Sequence, residues 1–140
     1  MQLIIRNGTE PGGVGRLDCD LIDILRILSG QGRRYVWRGR NIQYVSKDEQ
    51  DIASLEALRS GTAVSGIDFV DGLGQLLQMI WGEFEATEPG SDSPLLVIRA
   101  IDGSWWEVAS DDETVLNAVR QRFRLVEERP RRPSNIDLKR

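Results

Sequence analysis

The sequence predicts an α+β fold in which about four helices pack on a mixed, mostly antiparallel sheet. Two patterns support this prediction. Hydrophobic residues recur with a helical period in some segments and alternate in others, and capping residues or glycines mark the boundaries. In the second half, three strand-like segments follow one another with short loops, which is typical of a three-stranded antiparallel meander. We expect one α+β domain over residues 1–127 and a basic, flexible tail over residues 128–140.

The first third of the chain predicts a strand, a helix and a hairpin. Residues 3–6 are the expected first strand, and a glycine-rich loop leads from it to a helix over about residues 18–29. The segment RRYVWRGRNIQYVS, residues 33–46, has the alternation of two strands with arginine, glycine and asparagine between them. We therefore expect a hairpin that turns at residues 38–41.

Two further helices are expected in the middle of the chain. Residues 46–49, SKDE, have the capping-box pattern and should open a helix that ends near Arg59. After a short strand over residues 62–65, a third helix should begin at Asp68, and its period should give way to a strand at Trp81. The apolar stripe of this third helix comprises Val70, Leu73, Leu77 and Ile80.

The last third predicts the meander and a closing helix. Its strands are GEFEATE, LLVIRAI and SWWEVA, with a tight turn at Asp102-Gly103 between the second and the third. A second capping box at residues 110–113 should open a helix that ends near Arg122. RLVEE should form a final strand.

Trp105 and Trp106 are neighbours in the third strand of the meander, so they must point to opposite faces of the sheet. A two-residue turn at Asp102-Gly103 would pair Ala100 with Trp105 and Arg99 with Trp106. This register predicts that Trp105 lies in the core under the helices and that Trp106 lies on the other face.

The preceding strand indicates which charges share the face of Trp106. Pairing Phe84 with Ile98 places Glu83 opposite Arg99, which matches apolar with apolar and acid with base. A tryptophan among aliphatic and charged side chains has the composition of an interface centre. The alternative is that another helix of the same chain covers this face. The expected partner-binding residues are Glu83, Glu85, Val97, Arg99, Trp106 and Val108.

Charge is distributed unevenly along the chain. Residues 51–119 contain two arginines and thirteen Asp/Glu, a net charge of −11, whereas residues 1–50 and 120–140 have net charges of +2 and +5. An acidic surface repels nucleic acid and accelerates association with basic proteins. We therefore expect a small, acidic, non-enzymatic protein-binding module, of the inhibitor or immunity type, that engages a basic partner. A homodimer is a second form of protein–protein interaction that this composition allows.

The chain contains no histidine and one cysteine. The absence of histidine removes the catalytic triads that use it as a base, and also the commonest transition-metal ligand. A single cysteine excludes an internal disulfide and a multi-cysteine zinc site. We expect no cofactor and no catalytic site. The alternative is a small-ligand or metal-binding protein, or an enzyme, that uses the strand carboxylates Glu83 and Glu85.

A second alternative is nucleic-acid binding through the arginine-rich segment. Arginines interleaved with aromatic residues are typical of proteins that stack and neutralise single strands. The acidic remainder of the chain argues against this function, and arginines also protect exposed hairpin edges from aggregation. The candidate residues are Arg33, Arg34, Trp37, Arg38 and Arg40.

The sequence shows no membrane or export signal. No apolar run approaches the roughly 18 residues that a membrane span requires. The first ten residues, MQLIIRNGTE, contain only a three-residue apolar stretch, which is not the pattern of a signal peptide. With its single cysteine, the protein is expected to be cytoplasmic.

Overall fold

The computed structural model describes residues 2–6, 21–27, 34–103, 105–122 and 126–129. These residues form one seven-stranded sheet and four α-helices, which confirms the predicted α+β class. None of the helices in these ranges is long and apolar enough to cross a membrane.

The sheet is antiparallel throughout its described part. Its order is β3-β2-β4-β5-β6-β1-β7, so β4, β5 and β6 are consecutive in the chain and adjacent in the sheet. The predicted mixture of parallel and antiparallel pairs is wrong, since each pairing of the described strands is antiparallel. The strands are β1 (Gln2–Arg6), β2 (Val36–Ser46), β3 (Val64–Ser65), β4 (Leu76–Thr87), β5 (Pro94–Ile101), β6 (Trp105–Ser110) and β7 (Val126–Arg129).

Four helices pack on one face of the sheet, which we call the inner face. They are α1 (Leu21–Ile27), α2 (Ala53–Arg59), α3 (Gly66–Asp71) and α4 (Glu113–Arg122). Each buries apolar side chains in one continuous core together with strand residues of the inner face. The helix residues in this core include Leu21, Ile24, Leu55, Leu58, Phe69, Leu116 and Val119.

Three aromatic rings in tilted contact, which we call the aromatic stack, occupy the core between the sheet and α3. The ring centroids of Trp37 and Phe69 are 4.8 Å apart, and those of Phe69 and Phe84 are 5.5 Å apart. All three side chains are fully buried. A Cβ atom at Gly82 would stand 2.7 Å from Phe84 Cε2, so glycine at this position leaves room for the Phe84 ring. The stack joins β2, β4 and α3 at the centre of the fold.

The predicted hairpin over residues 33–46 is wrong, because Val36–Ser46 forms a single long strand. This strand pairs with β4 over most of its length, and its register shifts between Arg40 and Gln43. Asn41, within this interval, has a φ of 55°, which asparagine tolerates better than most residues. The arginine–glycine–asparagine segment therefore forms a bulge, because pairing with β4 outweighs the local preference for a turn.

The third helix is shorter than predicted. It ends at Asp71, a 3₁₀ turn follows over Gly72–Gln75, and β4 begins at Leu76. The strand thus starts five residues before Trp81, because two glycines weaken the helix and β2 offers a pairing partner. Leu77, which the helical stripe places in the core, is 55% exposed.

The register of β6 reverses the predicted positions of Trp105 and Trp106. Trp105 pairs with Ile101, and Trp106 pairs with Ala100. This register is shifted by one residue from the register that a two-residue turn would give. Trp106 is buried in the inner-face core and Trp105 is half-buried on the other face. A one-residue shift exchanges the faces of all side chains in a strand.

The observed register is the better match of side chains. It sets Val108 against Ile98 and Glu107 against Arg99. The predicted register would have set Glu107 against the buried Ile98, which would have placed a carboxylate in the apolar core. The pairing of Phe84 with Ile98 and of Glu83 with Arg99 is confirmed.

Helix starts follow the predicted capping boxes only in part. Ser46 makes no side-chain cap, and α2 begins at Ala53 after a 3₁₀ turn over Lys47–Glu49. In the second box the capping residue is Asp112 and not Ser110: Asp112 Oδ1 accepts a 2.9 Å hydrogen bond from Thr114 N, α4 begins at Glu113, and it ends at Arg122 as predicted.

The ends of two predicted elements and part of the tail lie outside the described residues. These are residues 18–20 and 28–29 of the first helix, residues 124–125 of the final strand RLVEE and residues 130–140 of the tail. Glu128 and Arg129, which the prediction assigns to the tail, belong to β7.

Candidate functional site

One end of the sheet carries five exposed carboxylates, which we call the acidic end. They come from the loop between β4 and β5 and from the connection between β6 and α4. These two segments lie side by side because they adjoin the paired strands β5 and β6, and Ser110 Oγ at the end of β6 donates a 2.7 Å hydrogen bond to Leu95 O near the start of β5. The acidic end comprises Glu88, Asp92, Asp111, Asp112 and Glu113.

Tyr35 shows that the two segments of the acidic end share one electrostatic environment. Burial raises the pKa of the Tyr35 phenol, the Arg34 cation opposes that rise, and the Asp112 and Glu88 carboxylates add to it. Both carboxylates therefore act on the same side chain, although they lie 24 residues apart in the sequence. A cation placed near this end would be attracted by both segments.

Few described cations offset the carboxylates of residues 51–119. Nine of the thirteen carboxylates in this range are exposed. Of the two arginines, Arg99 is buried, and Arg59 Nε and Nη2 donate to Ile42 O at 3.1 and 3.0 Å. At the acidic end, Arg34 Nη2 is 3.9 Å from Glu88 Oε1, and exposed pairs at this distance contribute little. The surface of this range is therefore predominantly negative.

A second group of charges lies on the face of the sheet opposite the inner face, and it is buried. Arg99 Nε is 3.9 Å from Glu83 Oε2, and Arg99 Nη1 is 3.7 Å from Glu107 Oε1. The side chains of Arg99, Glu83 and Glu107 are 4%, 18% and 2% exposed. Trp105 Nε1 donates a 3.3 Å hydrogen bond to Glu107 Oε2. We call Glu83, Arg99 and Glu107 the buried ion cluster.

The structure does not bring the six predicted partner-binding residues together on one exposed surface. Trp106 and Val108 lie in the inner-face core because of the register described above. Glu85, Val97 and Arg99 lie on the opposite face but are 7%, 0% and 3% exposed. Only Glu83 is partly accessible among the six. A partner cannot reach a side chain that is already buried, so the acidic end is the better candidate for contact.

The predicted nucleic-acid residues are also separated. Trp37 is fully buried in the aromatic stack, so its ring is not available to a base. Arg38 is exposed and lies opposite Glu85 in the register of β2 with β4, and Arg40 lies opposite Glu83. Arg34 is exposed but lies 3.9 Å from Glu88, and Arg33 lies outside the described residues. The one tryptophan among the predicted nucleic-acid residues is thus inaccessible, and the described arginines of this set lie next to carboxylates.

A groove of about 610 Å³ separates α2 from β3 and α3. Small side chains line it on both sides, and this leaves the space open. Asp51 and Asp68 stand at its margin, where α2 and α3 begin, and both are exposed. The remaining lining residues are Ile52, Ala53, Ser54, Ala57, Ala63, Val64, Ser65, Gly72 and Gln75.

One buried hydroxyl belongs to this groove. Ser54 is 9% exposed, and its Oγ has no hydrogen-bond partner among the described residues. A Cβ atom at Gly72 would stand 2.8 Å from Ser54 Oγ, so this hydroxyl packs directly against the glycine of the 3₁₀ turn. The groove is not among the sites predicted from the sequence, in which Asp68 was interpreted only as the start of a helix. No sequence signal could have found the groove, since it arises from the packing of α2 against α3.

A hydrogen-bonded group fixes α2, the wall of the groove, to the sheet. Tyr44 Oη on β2 donates to Glu56 Oε2 at 2.7 Å and accepts from Ile52 N at 2.9 Å. Arg59 Nη1 donates to Glu56 Oε1 at 3.1 Å, and its guanidinium lies 5.3 Å from the Tyr44 ring centroid. These contacts hold both ends of α2 against β2.

We expect the free energy of unfolding of the Tyr44→Phe variant to decrease less at high pH than that of the unmodified protein. Burial raises the pKa of Tyr44, the hydrogen bond from Ile52 N opposes this, and Glu56 adds to it. A phenol with a raised pKa stabilises the fold fully below its unfolded value of about 10, and this contribution is lost as pH rises through the folded value. Urea unfolding at pH 7, 9, 10 and 11 should therefore show a smaller alkaline decrease in the variant. At pH 7 the variant should be about 1 kcal/mol less stable. Equal alkaline slopes in the two proteins would contradict this assignment.

The described residues contain no group of three or more His, Cys, Asp or Glu that could hold a metal ion. Comparisons of the chain with models of known protein families, with curated proteins and with solved structures found no match.

Proposed function

We propose that this protein is a small acidic protein-binding module whose acidic end engages a basic partner. The observation on which this proposal depends is the asymmetry of exposure in residues 51–119, where nine carboxylates are exposed and one of the two arginines is buried. The negative field of these carboxylates attracts a basic protein over a distance of about 8 Å at physiological salt and raises its association rate.

The arrangement of the acidic end supports this function. Its carboxylates lie on a loop, a connection and the first residue of α4, next to the paired strands β5 and β6, which a hydrogen bond from Ser110 Oγ to Leu95 O joins at this end. Asp112 already caps α4, and Glu113 Oε2 accepts a 3.2 Å hydrogen bond from Arg120 Nη1. Glu88, Asp92 and Asp111 are thus the carboxylates with the least structural role, and we assign them to partner contact. Inhibition of a basic enzyme is the activity class that this arrangement fits best.

The test is a charge-neutralised variant, Glu88→Gln/Asp92→Asn/Asp111→Asn. The immobilised protein is exposed to native cell extract at about 0.05 M salt, and the captured protein is identified, purified and titrated by calorimetry. We expect a captured protein with a basic surface whose affinity for the variant is about tenfold weaker, since three exposed charges are removed. The affinity for the unmodified protein should fall with rising salt.

A matched control changes the same amount of charge at the opposite end of the sheet. The variant Asp48→Asn/Glu49→Gln/Asp102→Asn neutralises three exposed carboxylates near the end of β2 and the β5–β6 turn. Its affinity should stay within about threefold of the unmodified protein. The proposal is wrong if the extract yields no basic protein, or if both variants weaken binding equally.

A further inference from the structure

The face of the sheet opposite the inner face, here called the outer face, presents an accessible indole next to two arginines on β2 and β4. We propose that this surface binds single-stranded nucleic acid, with Trp81 as the ring on which a base stacks and with Arg38 and Arg40 as the cations that meet the phosphates. The inference goes beyond the proposed function and does not depend on it, since it concerns another surface and a ligand of opposite charge.

Trp81 lies on the outer face, and part of it is accessible. Glu83 lies on this face in the buried ion cluster, and residues two apart in a strand point to the same side. Gly82 between them faces the core, because a Cβ atom there would stand 2.7 Å from Phe84 Cε2. Trp81 is 40% exposed. A base can therefore reach its ring, whereas Trp37 is inaccessible.

A second indole lies two strands away in the same row of side chains. Ile101 on β5 pairs with Trp105 on β6. Trp81 stands next to Ile101, because the adjoining residues of β4 and β5 are paired. Neighbouring strands are about 4.8 Å apart, so the backbones that carry the two indoles are about 10 Å apart. Both Ile101 and Trp105 are partly exposed. Aromatic side chains that are spaced in this way across a sheet can stack more than one base of a single strand.

The outermost charges of this surface are positive. Arg38 is exposed and Arg40 is partly exposed, and neither forms an ion pair within the ranges that the structure describes. The carboxylates opposite them are less accessible, since Glu85 is 7% exposed and the side chain of Glu83 is 18% exposed. A phosphate that approaches the surface thus meets two guanidinium groups, which are well suited to phosphate recognition.

The acidic end is too far from Trp81 to prevent binding there. Thr87, where β4 reaches the acidic end, is six residues from Trp81, which is roughly 20 Å along an extended strand. The Debye length is about 10 Å at 0.1 M salt, so this field is largely screened at the indole. Asp102 is closer and exposed, in the turn before Trp105. We therefore expect weak binding, with a Kd of about 10–100 µM at about 0.1 M salt.

The test is a titration of the full chain into a fluorescein-labelled single strand of about ten thymidines, followed by fluorescence anisotropy. Two labelled controls of similar length are a G·C-rich duplex, whose bases are already stacked, and polyglutamate, which has negative charge and no rings. We expect both controls to bind at least about tenfold more weakly than the single strand. Equal binding of the single strand and either control, or no binding of the single strand, would overturn the inference.

A pair of variants tests the indole. Trp81→Leu keeps an apolar side chain but removes the ring, and it should weaken the single strand about tenfold, as is usual for the loss of one stacked base. Trp81→Phe keeps a ring and should stay within about threefold of the unmodified protein. Both should unfold near the urea midpoint of the unmodified protein, because the position is partly exposed. Equal affinities of the two variants would show that Trp81 does not stack a base.

The arginines are tested through the salt dependence of binding. Arg38→Gln/Arg40→Gln should make the slope of log affinity against log salt less steep by about 1.4, since each phosphate contact of a single strand contributes about 0.7. The control Arg26→Gln/Lys47→Gln removes two exposed cations from α1 and from the 3₁₀ turn after β2, and its slope should not change. An unchanged slope in the first variant, or the same change in the control, would contradict phosphate contact by Arg38 and Arg40.

A last variant separates this inference from the proposed function. Glu88→Gln/Asp92→Asn/Asp111→Asn removes negative charge from the acidic end, so it should bind the single strand at least as tightly as the unmodified protein does. Weaker binding of the strand by this variant would overturn the inference, because it would place the strand at the acidic end. None of these measurements requires that the extract yield a basic partner.

Discussion

Replacement of Trp37 by alanine is expected to lower the free energy of unfolding by about 3–5 kcal/mol, which is the usual cost of removing a buried large aromatic side chain. The indole is fully buried, and its ring centroid is 4.8 Å from that of Phe69. The cavity would open at the junction of β2, β4 and α3, where the fully buried Phe84 leaves little freedom to close it. Urea unfolding followed by circular dichroism measures the change.

Trp81→Ala is the matched control for this prediction, since it removes the same side chain from a position that is 40% exposed. It should cost less than about 1 kcal/mol, as is usual for partly exposed positions. A Trp37→Ala variant that unfolds at the same urea concentration as Trp81→Ala would contradict the central role of the aromatic stack. A stable Trp37→Ala variant with weakened nucleic-acid binding would favour the stacking function that the buried position argues against.

Arg99→Met is expected to destabilise the protein by about 3–5 kcal/mol, because it leaves the buried carboxylate of Glu107 without its cation. Methionine keeps most of the side-chain volume, so the loss reflects charge rather than packing. The double variant Arg99→Met/Glu107→Leu should recover part of the stability, since apolar residues often replace a buried ion pair without net cost, while Glu83 still loses Arg99 and Trp105 Nε1 loses its acceptor.

Arg34→Met provides the control for this pair of variants. Arg34 is 69% exposed and lies 3.9 Å from Glu88, so its removal should leave the urea midpoint unchanged. If the double variant is as unstable as Arg99→Met alone, Arg99 contributes through packing or through contacts other than Glu107. In that case the ion pair does not explain its burial.

Local patterns were sufficient to predict the elements whose boundaries are set by their own residues. The α+β class, the end of α4 at Arg122 and the pairing of Glu83 with Arg99 follow from periodicity, capping and charge matching. The faces on which Trp105 and Trp106 lie could not be predicted in this way, because a change of one residue in the length of the β5–β6 turn exchanges them. A two-residue and a longer turn are both common between strands, and only the burial of Trp106 and Val108 selects between them.

Other features depend on tertiary contacts that no single segment shows. The bulge of β2 near Asn41 and the early start of β4 at Leu76 both arise because these two strands pair with each other over a long stretch. The groove arises because α2 and α3 leave a space between them above β3, and its small residues have no distinctive spacing. The acidic end was visible in the sequence as net charge, whereas its position at one end of the sheet depends on which loops meet.

The two outermost strands of the described sheet have a consequence for intermolecular assembly. β3 has only two residues, and three of the four residues of β7 are charged. Short or charged borders are poor templates for strands from other molecules, and natural proteins use them to resist amyloid-like stacking. This chain should therefore remain dispersed at high concentration, and contacts between molecules should form through side chains rather than through an extended backbone ladder.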